Sequence, residues 1–265
     1  MSNSFKTFLK HTAKDFHNQS VNPPIVRAST IIFKSMQDIR KTQDKAKKNP
    51  VGGHFDYGRQ GTSTTHILQQ ILSKLEESYF TFLTPTGFGA VFLAIFSVTR
   101  PGDEIIAADP VYSPTRLLTQ DFLKEFNIKT TFYDPHDLKT LEKAITKKTK
   151  LIFVENPGSN TFDFQDLGKI VSIAKKHKIL TAIDNTWGTP YFLKPIKLGF
   201  DMAIVSATKY YSGHSDVMGG SLAVNKKVFP KVKATERVTG LRLGPDDAYL
   251  ITRGLRTLDI RLDRH

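Results

Sequence analysis

Residues 201–214 read Asp201-Met-Ala-Ile-Val-Ser-Ala-Thr-Lys-Tyr-Tyr-Ser-Gly-His214, a short apolar run that ends in two hydroxyls and a lysine. The apolar letters predict a buried strand, and Ser206, Thr208 and Lys209 follow at its polar end. A lysine in this setting suits the capture of a carbonyl cofactor, and the hydroxyls suit its phosphate. The same letters also fit a plain strand followed by a turn with a surface lysine, so the neighbouring segments decide between the two interpretations.

A second apolar run, Lys178-Ile-Leu-Thr-Ala-Ile-Asp-Asn-Thr-Trp187, lies upstream and contains Asp184 at its polar end. A carboxylate at the end of a buried strand is costly to desolvate unless it meets a cation, and a protonated pyridine nitrogen is one such cation. Asp184 could instead cap the next turn, as aspartates often do. Because Asp184 and Lys209 both follow strands of one predicted sheet, the cofactor interpretation is favoured.

Strands and helices alternate through the middle of the chain. Helical spacing of Ile67, Leu68, Ile71, Leu72 and Leu75 predicts a first helix. The predicted strands are Tyr79–Leu83, Glu104–Ala108, Ile128–Phe132, Leu151–Val154, Ile179–Ile183, Met202–Val205 and Ser221–Val224, and the predicted helices between them are Gly87–Thr99, Pro114–Phe126, Asp137–Thr146 and Gln165–His177. This alternation predicts an α/β fold with a mostly parallel sheet covered on both faces. Ligands of such sheets bind at the carboxyl ends of the strands.

Two other predicted strands also end in segments suited to that edge. Thr84-Pro-Thr-Gly-Phe-Gly89 leads into a helix, so the free amides of Gly87 and Phe88 can bind a phosphate. A plain glycine-containing turn is the alternative. Asp109-Pro-Val-Tyr112 brings Tyr112 to the same edge, although a lone tyrosine is more often a core residue.

Residues 1–62 are predicted to form an N-terminal arm and loop, with a Lys-rich loop that ends in Asn49-Pro-Val-Gly-Gly53. Tyr57 and Arg59 lie in this arm. An arginine makes bidentate contacts to phosphate and a tyrosine adds a hydroxyl, so the pair fits a phosphate site. A surface loop with a salt bridge is the alternative interpretation.

Composition narrows the classes of function. The chain has 265 residues, no cysteine and a formal charge of +13. The absence of cysteine excludes disulfides, thiolate metal sites and a cysteine nucleophile; we expect no metal site and a cytoplasmic location. Apolar runs are too short to span a bilayer. The lysines form no basic stripe interleaved with aromatic residues, so we expect no nucleic-acid partner and interpret the charge as solvated surface.

The motifs together resemble the pyridoxal-phosphate (PLP) enzymes of cysteine and methionine metabolism, which include cystathionine lyases, cystathionine γ-synthase and methionine γ-lyase. Seven landmarks occur in the family's order: Tyr57-Gly-Arg-Gln-Gly61, Thr86-Gly-Phe-Gly-Ala90, Asp109-Pro-Val-Tyr-Ser-Pro-Thr115, Glu155-Asn-Pro-Gly158, Ile183-Asp-Asn-Thr-Trp187, Ser206-Ala-Thr-Lys-Tyr210 and Thr252-Arg-Gly-Leu-Arg-Thr257. Within the family, Tyr57-Gly-Arg-Gln-Gly-Thr-Ser-Thr-Thr-His66 and Gly213-His-Ser-Asp216 are most similar to bacterial cystathionine β-lyase.

The resemblance implies a fold of the PLP-dependent transferase type (fold type I) and PLP as the cofactor. It assigns Lys209 to a Schiff base and to removal of the substrate α-proton, and Asp184 to the pyridine nitrogen. It assigns Tyr112 both to stacking on the ring and, as a catalytic residue, to deprotonation of the incoming substrate amine. Gly87, Phe88, Ser206 and Thr208 would bind the phosphate. It further implies β-elimination of L-cystathionine in methionine biosynthesis, with γ-lyase, γ-synthase and methionine γ-lyase activities as alternatives.

The resemblance also carries expectations about assembly and domains. Tyr57 and Arg59 are expected to reach the cofactor of a neighbouring subunit in a dimer or tetramer. Residues 63–246 would form the PLP-binding domain, and residues 247–265 would begin a helix leading to a C-terminal domain that the chain is expected to lack, together with its substrate-carboxylate arginine. The apolar residues Tyr249, Leu250, Leu255, Leu258 and Leu262 would then be exposed. The chain alone is then expected to bind PLP weakly and to show little or no cleavage of cystathionine. A noncatalytic PLP-binding module and a basic binding protein are the alternatives from other classes.

Overall fold

The computed structural model describes residues 3–12 and 20–265 and contains one seven-stranded sheet. Its strands are β1 (Phe80–Thr84), β2 (Glu104–Ala108), β3 (Lys129–Tyr133), β4 (Thr149–Glu155), β5 (Leu180–Asp184), β6 (Met202–Ser206) and β7 (Gly220–Val224). They lie in the order β1-β7-β6-β5-β4-β2-β3, and only β7 runs antiparallel to its neighbours. The mostly parallel sheet predicted from the sequence is confirmed.

The helices of the described residues complete an α/β arrangement. They are α1 (Asn3–His11), α2 (Met36–Lys48), α3 (Ser63–Leu75), α4 (Gly87–Val98), α5 (Ser113–Leu117), α6 (Leu123–Glu125), α7 (Leu138–Ala144), α8 (Leu167–His177), α9 (Thr189–Phe192), α10 (Pro195–Leu198), α11 (Phe229–Thr239), α12 (Pro245–Leu255) and α13 (Leu258–Arg264). A π-helical turn, Leu118–Phe122, joins α5 to α6 and interrupts the single helix predicted there.

Two apolar clusters cover the two faces of the sheet. Consecutive side chains of a strand point to opposite faces, and in β1 Phe82 enters one cluster while Leu83 enters the other. The larger cluster lies under α4 and α8. The smaller cluster joins α3, α12 and α13 to α1 and is called here the terminal-helix cluster.

The prediction of a Lys-rich loop in the arm is wrong, because Met36–Lys48 forms α2. Ser35 caps the helix by accepting a hydrogen bond from the Asp38 amide, and lysines in its last turn favour the negative end of the helix dipole. No residue of α2 is buried. The polar composition that suggested a loop is therefore the composition of a solvated helix. Of the predicted arm, residues 1, 2 and 13–19 lie outside the described residues.

The expected exposure of apolar residues near residue 265 is also wrong for three leucines. Leu255, Leu258 and Leu262 are buried in the terminal-helix cluster beside Leu9 of α1. Two ion pairs fasten α1 to α13: Lys6 to Asp263 at 2.5 Å and Lys10 to Asp259 at 2.7 Å. The covering surface comes from the opposite end of the chain, which sequence periodicity does not reveal.

None of the helices in residues 3–12 and 20–265 is long and apolar enough to cross a membrane.

Candidate active site

The polar ends of several strands meet at one edge of the sheet, the edge expected to hold the ligand. Ser206, the last residue of β6, is the register partner of Gly220, which also pairs with Thr84 of β1. Because β7 runs antiparallel, its first residue lies at this edge. Asp184 and Glu155 end the next two strands and are register partners of each other.

A small cradle forms where α4 begins beside Ser206. A Cβ atom placed on Gly87 would lie 2.5 Å from Ser206 Oγ, so only glycine permits this approach. Thr86 caps α4 by accepting the Gly89 amide at 2.9 Å, while the amides of Gly87 and Phe88 start the helix and have no partner within it. Two backbone donors and one hydroxyl therefore converge, which is an arrangement suited to an anion.

The other predicted hydroxyl is already in use. Thr208 Oγ1 accepts a hydrogen bond from the Gly219 amide at 3.1 Å and donates to the Gly219 carbonyl at 3.3 Å. Thr208 thus ties together the two ends of the loop between β6 and β7. Thr208 retains an acceptor lone pair, but its donor hydrogen is directed to Gly219.

Lys209 is exposed and lies in a cleft of about 730 Å³ that Thr208, Tyr210, Asp216 and Met218 help to line. Among the residues the structure describes, no group forms a hydrogen bond or ion pair with the Lys209 amine. The Lys209 amide donates to the Ser206 carbonyl at 3.1 Å, so the backbone of Lys209 is held next to Ser206, although Ser206 and Gly87 do not themselves line this cleft. The amine is available for a ligand.

Arg261 is an arginine in the same cleft, but its nitrogens have other partners. Nη1 donates to the Tyr210 carbonyl at 2.6 Å, Nη2 to the Gly254 carbonyl at 2.8 Å and Nε to Thr257 Oγ1 at 3.1 Å. These contacts join α13 to the segment that carries Lys209. Arg261 is accordingly a structural brace.

Asp184 is linked to the cradle through one threonine. Its Oδ1 accepts the Thr186 amide at 3.0 Å, and Thr186 Oγ1 accepts the Ser206 amide at 2.9 Å. Burial raises the pKa of Asp184 above its ordinary value, and the hydrogen bonds from Thr186 oppose that rise. A buried carboxyl of this kind is available to meet a cation.

Tyr112 is half exposed and begins α5, where its amide donates to Glu155 Oε2 at 2.6 Å. The segment before Tyr112 is also fixed to the loop after β4, because the Ser159 amide donates to the Pro110 carbonyl at 2.7 Å. These bonds hold Tyr112 at the edge that carries Asp184.

Tyr57 and Arg59 are not brought into the Lys209 cleft. Both are exposed; Arg59 Nη1 donates to the Arg237 carbonyl at 2.9 Å, and Tyr57 bridges to Thr30. Arg59 lines a separate cavity of about 420 Å³ between the arm and α12, and this cavity shares no lining residue with the Lys209 cleft.

The residues at the edge fit pyridoxal phosphate. The group needs an amine for its carbonyl, an anion site for its phosphate and an acid for its ring nitrogen. Within the described residues, Lys209 Nζ and Ser206 Oγ have no protein partner, the Gly87 cradle admits no side chain, and Asp184 lies on the next strand. Each requirement is met by a different residue.

Two residues of this edge were not predicted as site residues. In the sequence, Glu155 stands within the Glu155-Asn-Pro-Gly158 landmark and Thr186 within the Ile183-Asp-Asn-Thr-Trp187 landmark, with no site role assigned to either residue. The signal for Glu155 is the same as for Asp184, an acidic residue at the end of an apolar run, Leu151-Ile-Phe-Val-Glu155. Thr186 has no such signal, because its role depends on the pairing of β5 with β6.

The chain is similar to one described family of enzymes and to several individual proteins. The sequence profile of a family described as Cys/Met metabolism PLP-dependent enzyme matches residues 6–265. A cystathionine β-lyase of Haemophilus influenzae is 35% identical over 255 residues, 95% of this chain and 63% of that protein. An L-alanine/L-glutamate racemase of Wolbachia pipientis is 34% identical over 251 residues, 93% of this chain and 62% of that protein.

A solved structure gives the same result for the fold. Cystathionine γ-lyase from Lactobacillus plantarum, complexed with L-serine, superposes with a TM-score of 0.87 at 31% sequence identity. The superposition covers 98% of this chain and 65% of that protein. The chain thus spans a little under two thirds of the length of these relatives.

Proposed function

This chain belongs to the PLP-dependent enzymes of Cys/Met metabolism, and from that premise we propose that its site cleaves a carbon–sulfur bond of an amino-acid thioether. The substrate we propose is L-cystathionine, which with one water gives homocysteine, pyruvate and ammonia by β-elimination. The observation that carries the proposal is the Lys209 amine, which has no partner among the described residues and whose backbone is bonded to Ser206 of the Gly87–Ser206 cradle, with Asp184 on the adjacent strand. Similarity to a cystathionine β-lyase supports the choice of substrate.

Four residues of the sheet edge would hold the phosphate and the ring nitrogen of the cofactor. The amides of Gly87 and Phe88 and the Ser206 hydroxyl would bind the phosphate, and Asp184 would meet the ring nitrogen. When bound, pyridoxal phosphate supplies a carbonyl that captures the substrate amine and a ring that withdraws electrons from Cα. The aromatic face of Tyr112 would pack against the planar ring.

The chain's own residues move the protons. The Lys209 amine accepts the proton from Cα, and the thiolate leaves Cβ with the electron pair of the C–S bond. Asp184 in its carboxylate form keeps the ring nitrogen protonated, which strengthens electron withdrawal. The Tyr112 hydroxyl, at the rim of the site, would take a proton from the incoming ammonium group.

Tyr57 and Arg59 would complete the phosphate site of a second copy of this chain. Two observations support this proposal: both side chains are exposed, and Arg59 lines a cavity that shares no residue with the Lys209 cleft. Arg59 is suited to bidentate contact with a phosphate. A dimer would therefore carry two shared sites.

A second candidate is γ-elimination, favoured by the structural similarity to a cystathionine γ-lyase. That reaction needs a further proton removal at Cβ and releases 2-oxobutyrate in place of pyruvate. A noncatalytic PLP-binding protein is the candidate from another class.

The test is to add pyridoxal phosphate and L-cystathionine to the purified 265-residue chain and identify the keto acid formed. The H. influenzae cystathionine β-lyase serves as the positive control and Lys209→Ala as the negative control. Formation of pyruvate by the wild-type chain but not by Lys209→Ala would support β-elimination. Formation of 2-oxobutyrate instead would support γ-elimination, the second candidate. Bound cofactor without any keto acid would support a noncatalytic protein, and failure to bind the cofactor would overturn the proposal.

A further inference from the structure

Glu155 is an acidic residue at the edge of the sheet to which the mechanism above gives no role. It ends β4, its side chain is buried, and it pairs in register with Asp184 of β5. Two carboxyl groups on adjacent buried strand ends repel each other when both are ionised. Placing two carboxyl groups this close together costs free energy of folding. The role of Glu155 is therefore inferred from the contacts that its side chain makes.

The Glu155 side chain reaches out of the sheet to the backbone of Tyr112. Its Oε2 accepts the Tyr112 amide at 2.6 Å, across 43 positions of sequence. Tyr112 precedes α5 and is 48% exposed, so burial alone does not fix its place. The bond to Glu155 therefore holds the point from which the Tyr112 ring projects.

We propose that Glu155 is a positioning residue, which holds Tyr112 over the site as an uncharged hydrogen-bond acceptor and leaves Asp184 as the carboxyl that ionises against the cofactor ring. This inference rests on the proposed function for its second part. The first part, the hold on Tyr112, concerns the protein alone.

The electrostatics support an uncharged Glu155. Burial and, to a smaller extent, the nearby Asp184 carboxyl raise the pKa of Glu155 well above its ordinary value, while the bond from Tyr112 opposes the rise. Only Oε2 of Glu155 is used by the Tyr112 amide, so a proton on Oε1 would relieve the repulsion from Asp184 without disturbing that bond. A cation placed against Asp184 favours ionisation of Asp184 rather than of Glu155.

The backbone of Glu155 has an anchor of its own. The Gln165 side chain donates to the Glu155 carbonyl at 3.0 Å, and the Gln165 amide donates to Asn156 Oδ1 at 2.8 Å. Changes to the Glu155 side chain should therefore leave the end of β4 in place. This separates the role of the carboxyl from that of the strand.

Two substitutions divide the properties of Glu155. Glu155→Gln keeps the length and an acceptor oxygen but removes the acid, whereas Glu155→Asp keeps the acid but is one methylene too short to reach Tyr112. Glu76→Gln and Glu76→Asp are matched controls, because Glu76 is also buried with a pKa raised to about 8, yet it bonds to the Tyr211 hydroxyl in the terminal-helix cluster.

The first measurement is hydrogen exchange at the Tyr112 amide in the protein without added cofactor. We expect exchange to stay within twofold in Glu155→Gln and to rise by about tenfold in Glu155→Asp, the effect of losing one hydrogen bond. Both Glu76 variants should leave it unchanged. Equal protection in Glu155→Asp and wild type, or equal loss in both Glu155 variants, would overturn the positioning role.

The second measurement is titration with pyridoxal phosphate, followed by absorbance and circular dichroism of the bound cofactor. Glu155→Gln should match wild type and Glu155→Asp should bind about tenfold more weakly, with no further loss when Tyr112→Ala is added. Additive losses would contradict the link to Tyr112. If wild type binds no pyridoxal phosphate, the proposed function fails, whereas hydrogen exchange still decides the role of Glu155.

Discussion

The edge that holds Lys209 and the terminal-helix cluster contain similar charged groups but satisfy them differently. In the cluster, Lys6 and Lys10 of α1 pair with Asp263 and Asp259 of α13, and buried Glu76 accepts a hydrogen bond from Tyr211. At the edge, the Lys209 amine and the Ser206 hydroxyl have no partner among the described residues. Groups that the protein leaves unpaired are available to a ligand, while paired groups hold the fold together.

The largest expected effect is at Lys209. Lys209→Ala should abolish covalent capture of the cofactor, because Lys209 is the lysine whose backbone is bonded to Ser206 of the cradle and whose amine has no partner among the described residues. Borohydride reduction of the loaded protein followed by peptide mapping measures this directly. Lys178→Ala, in a cavity at the other edge of the sheet, is the control. A pyridoxyl label on any other lysine would contradict the assignment of Lys209 as the ligand-binding amine of this edge, and with it the difference between the edge and the terminal-helix cluster.

The next effect is on the pH dependence of stability and concerns Glu76. Burial raises the pKa of Glu76 from 4.5 to about 8, so its stabilising contribution is complete below pH 4.5 and is lost as the pH rises through 8. At about 1.4 kcal/mol per pKa unit, the loss should reach a few kcal/mol. Urea unfolding of wild type and Glu76→Gln between pH 5 and 9 should show the variant gaining relative stability as the pH rises. A constant difference would mean that Glu76 is ionised throughout.

Asp184→Asn should leave the fold and part of the cofactor affinity intact but slow exchange of the substrate α-proton by about a hundredfold, as expected for loss of one charge-stabilising group. A neutral amide cannot balance the ring cation. Exchange followed by NMR in deuterated buffer provides the measurement, with Asp166→Asn, a helix-capping residue of α8, as control. Unchanged exchange of the α-proton would show that Asp184 does not stabilise the ring cation and serves only in the turn after β5.

Ser206→Ala should have the smallest effect, a cofactor affinity weakened by about tenfold through loss of one hydrogen bond to a charged phosphate. Inorganic phosphate should compete with the cofactor less well in this variant. Ser221→Ala removes a neighbouring hydroxyl that already donates to the Val205 carbonyl and is the matched control. Equal losses in the two variants would show that Ser206 acts through packing.

The sequence predicted the edge better than the cluster, for physical reasons. The strand ends at this edge have a local signal in the sequence, an apolar run followed by polar residues. Asp184 follows one such run, and Ser206 and Lys209 follow another. The cover over Leu258 comes from Leu9, far away in the sequence, so no local pattern reveals it. The failed prediction of a loop at α2 has another cause, since lysine-rich segments suit both loops and solvated helices.

Glu155 shows a third kind of limit. Its position at a strand end follows from the sequence, but its bond to Tyr112 depends on β2 and β4 being neighbours in the sheet. The alternation of strands and helices predicts a parallel sheet without giving the order of its strands. Partners that meet across strands are therefore found only in the structure.

The pairing of α1 with α13 also constrains the order in which the protein folds. Lys6 and Asp263 are separated by 257 positions, whereas the last strand of the sheet ends at Val224. During synthesis from the amino terminus, α1 must wait for its partner until nearly the whole of this chain has emerged from the ribosome. The sheet can assemble first, and the leucines of α3 that later lie under α12 and α13 are the surface a chaperone would meet in the interval.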